Sequence, residues 1–149
     1  MNIYTLGYSG WKIEDVEAVV KRLEAVLVDV RMVARSRAPT WNGASLARRL
    51  GDRYVWLRSF GNRNYKGTVE QIEIVDFPAG EQRLRELLGV CLASNKAAAK
   101  TIILFCGCPD VSQCHRRILA EWLGQAWGAE VQHLTRPDNQ ISSGQSMLF

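Results

Sequence analysis

Short apolar runs rich in β-branched residues alternate with longer stretches of helical periodicity as far as residue 134, and this alternation constrains the fold more than any other feature. Runs at Ile3 to Leu6, Val26 to Val30, Tyr54 to Leu57, Thr101 to Phe105 and Glu130 to Leu134 read as strands, each bounded by Gly, Asp, Arg or Lys. Between them Ile13, Val16, Val19, Val20 and Leu23 recur on one helical face. So do Leu84, Leu87, Leu88, Cys91 and Leu92, and again Cys114, Ile118, Trp122 and Leu123. A shorter helix is predicted around Ala44 to Leu50, started by Asn42 or Gly43 and stopped by Gly51. Strands separated by helices favour right-handed crossovers that place helices on both faces. The expected architecture is therefore α/β: a single three-layer domain around a mostly parallel sheet.

A chain of 149 residues leaves room for one such domain. The domain is expected over residues 1–134, because the composition changes at Thr135 to a Pro-, Gly- and hydroxyl-rich stretch (TRPDNQISSG) that reads as a flexible tail over 135–149. With 47% apolar and 23% charged residues, neither wholesale disorder nor a fibrous repeat fits. No window approaches twenty apolar residues and Met1 to Gly7 lack the pattern of a signal peptide, so no membrane partner and a cytoplasmic location are expected. Four cysteines are too few for a disulfide scaffold, which leaves core, redox or metal roles for them.

The net charge of +4 is unevenly spread. Arg31 to Gly67 holds nine basic residues against one acid, Asp52, and five aromatics, Trp41, Tyr54, Trp56, Phe60 and Tyr65, are interleaved with them. Such a segment suits nucleic acid, whose bases stack on rings while phosphates meet guanidinium groups. A solvated surface paired with acids from elsewhere would read the same way.

In parallel sheets ligands collect beyond the carboxyl ends of the strands, so the strand exits are the places to look for chemistry. The richest lies in Thr101 to Leu123: a strand, a loop with Pro109, and a helix opening with Cys114, His115, Arg116 and Arg117. A helix N-terminus attracts anions, and Arg31 from the second strand is expected to converge there with Arg116 on a phosphate. Ser9, Arg35 and Arg63 are further candidate substrate-binding residues. Cys106 and Cys114 are candidate catalytic thiols with His115, since a cysteine at such a position can lose its proton early. Asp29, two residues before Arg31 on the same strand face, is a candidate general base or one half of a structural ion pair. The Cys-x5-Arg spacing of cysteine phosphatases is absent, as the sixth residue after Cys106 is Ser112. Cys106, Cys108, Cys114 and His115 could count as four zinc ligands, but neighbouring Cys and His rarely converge on one ion, and no metal or cofactor is expected. P-loop, G-x-G-x-x-G and serine-triad signatures are also missing.

Tyr4-Thr5-Leu6-Gly7-Tyr8-Ser9, Val28-Asp29-Val30-Arg31, Arg35-Ser36-Arg37, Leu57 with Gly61-Asn62-Arg63-Asn64-Tyr65, and Cys106 with Cys114-His115-Arg116 are together similar to the prokaryotic family catalogued as domain of unknown function 488. The likeness runs from about Asn2 to Leu134. It implies an α/β fold and no established reaction. The final Gln145-Ser146-Met147-Leu148-Phe149 resembles the Q-x-x-L-F peptide by which bacterial replication and repair proteins dock on the sliding clamp, with Leu148 and Phe149 as apolar anchors and Gln145 setting register. Three functions compete. One is an enzyme acting on nucleic acid or a nucleotide through an anion pocket, tethered to the clamp. The others are a non-catalytic nucleic-acid-binding module and a thiol or sulfur-handling enzyme.

Overall fold

The computed structural model of the protein describes residues 1–89 and 101–137. Its strands are β1 (Asn2–Gly7), β2 (Val26–Asp29), β3 (Tyr54–Trp56), β4 (Thr101–Cys106) and β5 (Glu130–His133). The helices among the described residues are α1 (Ile13–Arg22), α2 (Gly43–Leu50), α3 (Phe77–Leu88) and α4 (His115–Trp127). The strands form one five-stranded sheet in the order β3-β2-β4-β1-β5, and every pairing is parallel.

Strand alternation sorts the two cores. Along β4, Ile102, Leu104 and Cys106 face α3 and α4 with Leu84, Leu119 and Leu123, whereas Ile103 and Phe105 face α1 and α2 with Val16, Val20 and Leu46. Both faces are therefore covered, as a parallel sheet requires. Gly51 ends α2 at φ +57° and Gly128 ends α4 in the left-handed conformation, where any side chain would be strained. No helix among the described residues is long and apolar enough to cross a membrane.

The expected strands and the Ala44 to Leu50 helix are present with ends shifted by a residue, α3 begins at Phe77, well before the predicted face residue Leu84, and one helix face differs. On α4 the buried side chains are His115, Arg116, Leu119, Ala120 and Leu123, while Ile118 is half-buried and Trp122 is 43% exposed, edge-on to Phe77. The stripe is rotated because the helix must bury Arg116 beneath β4, which carries the apolar face round with it. On α3 Leu84 and Leu88 are buried and Leu87 is exposed. Cys91, Leu92 and residues 138–149 lie outside the described residues.

Candidate functional site

A cleft of ≈ 450 Å³ opens where the carboxyl ends of the strands meet their loops. Tyr8 from the β1 exit, Arg31 and Arg35 from the β2 exit, Asn62 and Tyr65 after β3, and Cys106, Cys108, Cys114 and His115 line it. The cleft adjoins the point where the chain, having run outward from β1 to β2 and β3, returns to insert β4 between β2 and β1. Ligands favour such switch points because the flanking loops diverge there.

Its floor is a cluster of sulfur. Cys106, the last residue of β4, has its Sγ 2.9 Å from Cys114 Sγ, and both side chains are buried. Cys114 is the N-cap of α4, its Sγ accepting from the Arg116 backbone N–H at 3.5 Å. Half-buried Cys108 turns its thiol toward the Asp110 carbonyl at 3.5 Å.

Behind the sulfurs lies Arg116, only 3% exposed. Its Nη1 donates to the Cys108 carbonyl at 2.7 Å and to Cys106 Sγ at 3.4 Å, and its Nε donates to Thr5 Oγ1 at 3.4 Å. Thr5 Oγ1 shares a further 2.7 Å hydrogen bond with His133 Nδ1 on β5. No carboxylate pairs with Arg116 among the described residues. A buried, unpaired guanidinium costs several kcal/mol and cannot discharge itself by losing a proton. Ionising an ordinary thiol at pH 7 costs about 2 kcal/mol, so the cheaper balance is a thiolate.

The titrations follow from this. The hydrogen bond from Cys114, with Arg116 behind it, lowers Cys106 to about 7. Cys108 is lowered to about 6, chiefly by the neighbouring Cys114 thiol. Cys114 is pushed far up, because a second ionisation beside Cys106 is opposed first by the hydrogen bond it would lose and then by Cys108 and burial. Although burial works against its charge, Arg116 is held above the ordinary arginine range by Cys106 and Cys114.

His115 completes the floor. Its Nε2 meets the Val30 carbonyl at 2.7 Å, and since a carbonyl only accepts, Nε2 carries the hydrogen. Burial lowers its pKa and keeps the ring neutral. The unprotonated Nδ1 is then 3.8 Å from Cys114 Sγ.

Residues 14–123 match the family described as domain of unknown function DUF488. The chain belongs to that family. No curated protein and no solved structure matches it. The matched segment carries the cysteines, His115 and Arg116, whereas Thr5 on β1, Tyr8 just after it and His133 on β5 lie outside the matched residues.

The remaining candidate residues divide into two groups. Asp29 is fully buried and held by Arg31, whose Nε donates to Oδ1 at 2.9 Å and whose Nη2 donates to Oδ2 at 2.6 Å, and by Tyr54, whose hydroxyl donates to Oδ2 at 2.6 Å. Burial first, and Asp29 second, raise Tyr54 well above the usual phenol range. The cleft-side edge of Arg31 is also engaged: its Nη1 donates to the Tyr8 hydroxyl at 3.4 Å and to the Arg35 carbonyl at 3.5 Å, and its guanidinium lies over the Tyr8 and Phe105 rings at 5.5 and 5.4 Å from their centroids. Asp29 and Arg31 thus form a buried bidentate ion pair that shapes one wall.

Arg31 and Arg116 do not converge as expected. Arg31 packs with Phe105 on the α1/α2 face, whereas Arg116 sits with Thr5 and Cys106 on the α3/α4 face and lines a separate cleft with Ser9 and Arg136. The reason is the pleat: successive residues at the end of β4, Phe105 and Cys106, point to opposite faces and take their cationic neighbours with them. Ser9 donates to the Gly107 carbonyl at 2.7 Å and so braces the cysteine loop. Arg35 is exposed on the cleft wall. Arg63 is half-exposed, 3.7 Å from Glu73, and outside the cysteine cleft. Among the aromatics of the basic segment Trp41 and Phe60 are buried, while Trp56 and Tyr65 are 42% and 55% exposed.

Cys108 and Asn62, which line the cleft, and Thr5 and Tyr54, which brace it, are named in the sequence reading but not among its candidate catalytic or substrate-binding residues. Cys108 had a signal, its Cys-x-Cys spacing from Cys106, but that spacing was weighed only for zinc. Among the described residues no group of His, Cys, Asp and Glu is arranged to hold a metal ion. Asn62 Oδ1 accepts from the Asn64 and Glu73 backbones at 3.0 and 2.9 Å, which fixes the loop forming the far wall.

Proposed function

We propose that the protein is a cysteine-thiolate enzyme acting on a nucleic acid or nucleotide bound in the cleft, and that its C-terminal residues dock it on the bacterial sliding clamp. One observation carries the enzymatic reading: the buried guanidinium of Arg116 has sulfur where it would need a carboxylate, so the cluster holds an anion at the cleft floor. A thiolate is the nucleophilic form of cysteine; Cys106, held against Arg116, is the nucleophile of this reading, and Cys108, lowered further still, shares the anion. Cys108 stands beside it on the wall, and Arg116 and Asp29 position the groups around them. The cytoplasm, as a reducing compartment, would keep these thiols available.

The substrate class is argued from the walls. Tyr65, Met32, Val33 and Ile72 offer an apolar and aromatic surface for a base, and exposed Arg35, beside the positive charge of Arg31, offers donors to a phosphate. Exposed Arg37, Arg58 and Lys66 extend the positive charge beyond the cleft. Gln145, Leu148 and Phe149 supply the clamp-docking chemistry, an apolar pair with one register-setting amide.

Two measurements test this. Neutralising Arg35, Arg37 and Arg63 should weaken single-stranded nucleic-acid binding and flatten its dependence on salt, because fewer counterions are released. Absence of salt-dependent binding by the unaltered protein removes the nucleic-acid substrate. Cys106→Ser should retain binding and lose turnover of a bound nucleotide or oligonucleotide; binding without turnover in either protein favours the non-catalytic module.

A further inference from the structure

The geometry points to a reversible dithiol–disulfide couple between Cys106 and Cys114 that switches this thiolate site off by exchange with low-molecular-weight disulfides. The inference rests on the thiolate reading above and adds the regulation of the same site. Three placements carry it. The two sulfurs are 2.9 Å apart, so a sub-ångström approach brings them to the roughly 2.05 Å of a covalent bond. Cys108, the third thiol, also neighbours Cys114 but directs its Sγ to the Asp110 carbonyl at 3.5 Å. His115, its Nε2 fixed on Val30, aims an unprotonated Nδ1 at Cys114 and at no other thiol.

The exchange balances in two steps. The Cys106 thiolate attacks one sulfur of the small disulfide RSSR, forming Cys106–S–S–R and expelling RS⁻, which takes a proton from solvent. His115 Nδ1 then accepts the Cys114 proton, and the Cys114 sulfur attacks Cys106 Sγ. The Cys106–Cys114 bond forms as the second RS⁻ leaves and collects the proton from His115. Two protein thiols are oxidised and one small disulfide is reduced to two thiols.

Arg116 sets the direction of this equilibrium. Oxidation consumes the anion but leaves the guanidinium buried, so the disulfide form must keep an uncompensated charge. An ordinary disulfide stabilises by constraining the unfolded chain, but the short loop from Cys106 to Cys114 gains less that way than stranding a buried charge costs. The oxidised protein should therefore melt below the reduced one, and the bond should be readily reversed by thiols.

The test equilibrates the full-length reduced protein with oxidised and reduced glutathione, traps thiols by alkylation and maps the peptides by mass spectrometry. Expected is a species two hydrogens lighter with Cys106 joined to Cys114, melting at a lower temperature than the reduced form. Cys114→Ser should instead accumulate glutathione on Cys106. His115→Gln, which retains a donor for Val30, should slow ring closure by about 10²-fold while Cys106 still titrates as a thiolate. A crosslink that maps to Cys108 or Cys91, or no crosslink at any glutathione ratio while Cys106 titrates early, overturns the couple and leaves the thiolate standing. A Cys106 that titrates as an ordinary thiol overturns both.

Discussion

Arg116 Nη1 lies 3.4 Å from Cys106 Sγ, and this contact between a buried guanidinium and a buried sulfur takes the place of a salt bridge. It has a consequence for stability. Cys106 is lowered to about 7 in the folded protein, against about 8.5 for the thiol of the unfolded chain. An acid with a lowered folded pKa adds stability that is complete above the unfolded value and lost as pH falls through the folded one. The stability difference between the protein and Cys106→Ser should therefore widen as pH rises from about 7 to about 8.5. Urea denaturation at four or five pH values checks it, and a difference independent of pH would speak against the ion pair.

Asp29 is held so completely that its first role is to anchor Arg31. Replacing it by Asn should cost about 3–5 kcal/mol, since removing one partner of a buried pair strands the other charge. Tyr54→Phe, which deletes only the hydroxyl bond to Asp29, should cost about 1–2 kcal/mol. Thermal denaturation distinguishes the cases: an Asp29→Asn protein as stable as its parent, yet inactive, would make Asp29 a general base instead of a positioning residue.

Gly7 sits where β1 passes under the cysteine loop. A Cβ there would collide with the Cys108 carbonyl and come within 2.9 Å of the Arg116 guanidinium. Gly7→Ala should displace Arg116, destabilise the fold by about 1–3 kcal/mol and raise the Cys106 pKa toward that of a free thiol. At Gly51, where nothing stands within 4 Å but φ is +57°, alanine should cost backbone strain of about 1 kcal/mol and leave the thiol unchanged. The pair of variants, compared by thiol titration, separates packing at the site from stability in general.

The sheet was legible from the sequence because both its faces are buried, which makes strands such as TIILFC run apolar without interruption. The site was legible only in part. Periodicity assigned Asp29 and Arg31 to one face, as found, but which face Cys106 takes depends on pleat and strand order, and strand order is set by contacts distant in sequence. That is why Arg31 and Arg116 were expected together. Trp122 was expected in the core for a related reason: the apolar stripe on α4 gives way to Arg116, a charged residue buried against Cys106, and hydrophobic spacing is blind to such a residue. Tyr54 gave no sign of reaching Asp29 because the two meet across neighbouring strands.

The clamp reading concerns residues outside the described part of the chain and is tested separately. A peptide spanning Ser142 to Phe149 should bind a bacterial sliding clamp with roughly micromolar affinity, the cost of ordering a short segment limiting it. Removing Leu148 and Phe149 should abolish binding, and Gln145→Ala should weaken it by about 1 kcal/mol. Calorimetry decides the matter; no saturable binding by peptide or full-length protein would make the likeness a coincidence. Shortening the chain to residues 1–137 should preserve the fold, since buried Leu134 is kept.

Ultraviolet absorbance of the thiolate as a function of pH bears most directly on the charge balance that underlies the site. With Cys108, itself lowered to about 6, replaced by Ser, the account predicts thiolate signal emerging around pH 7, where free cysteine is still protonated, and its displacement to higher pH when Arg116→Gln is added. A reduced, folded protein with no thiolate signal until about pH 8.5, or an Arg116→Gln profile that overlays the parent's, would contradict it.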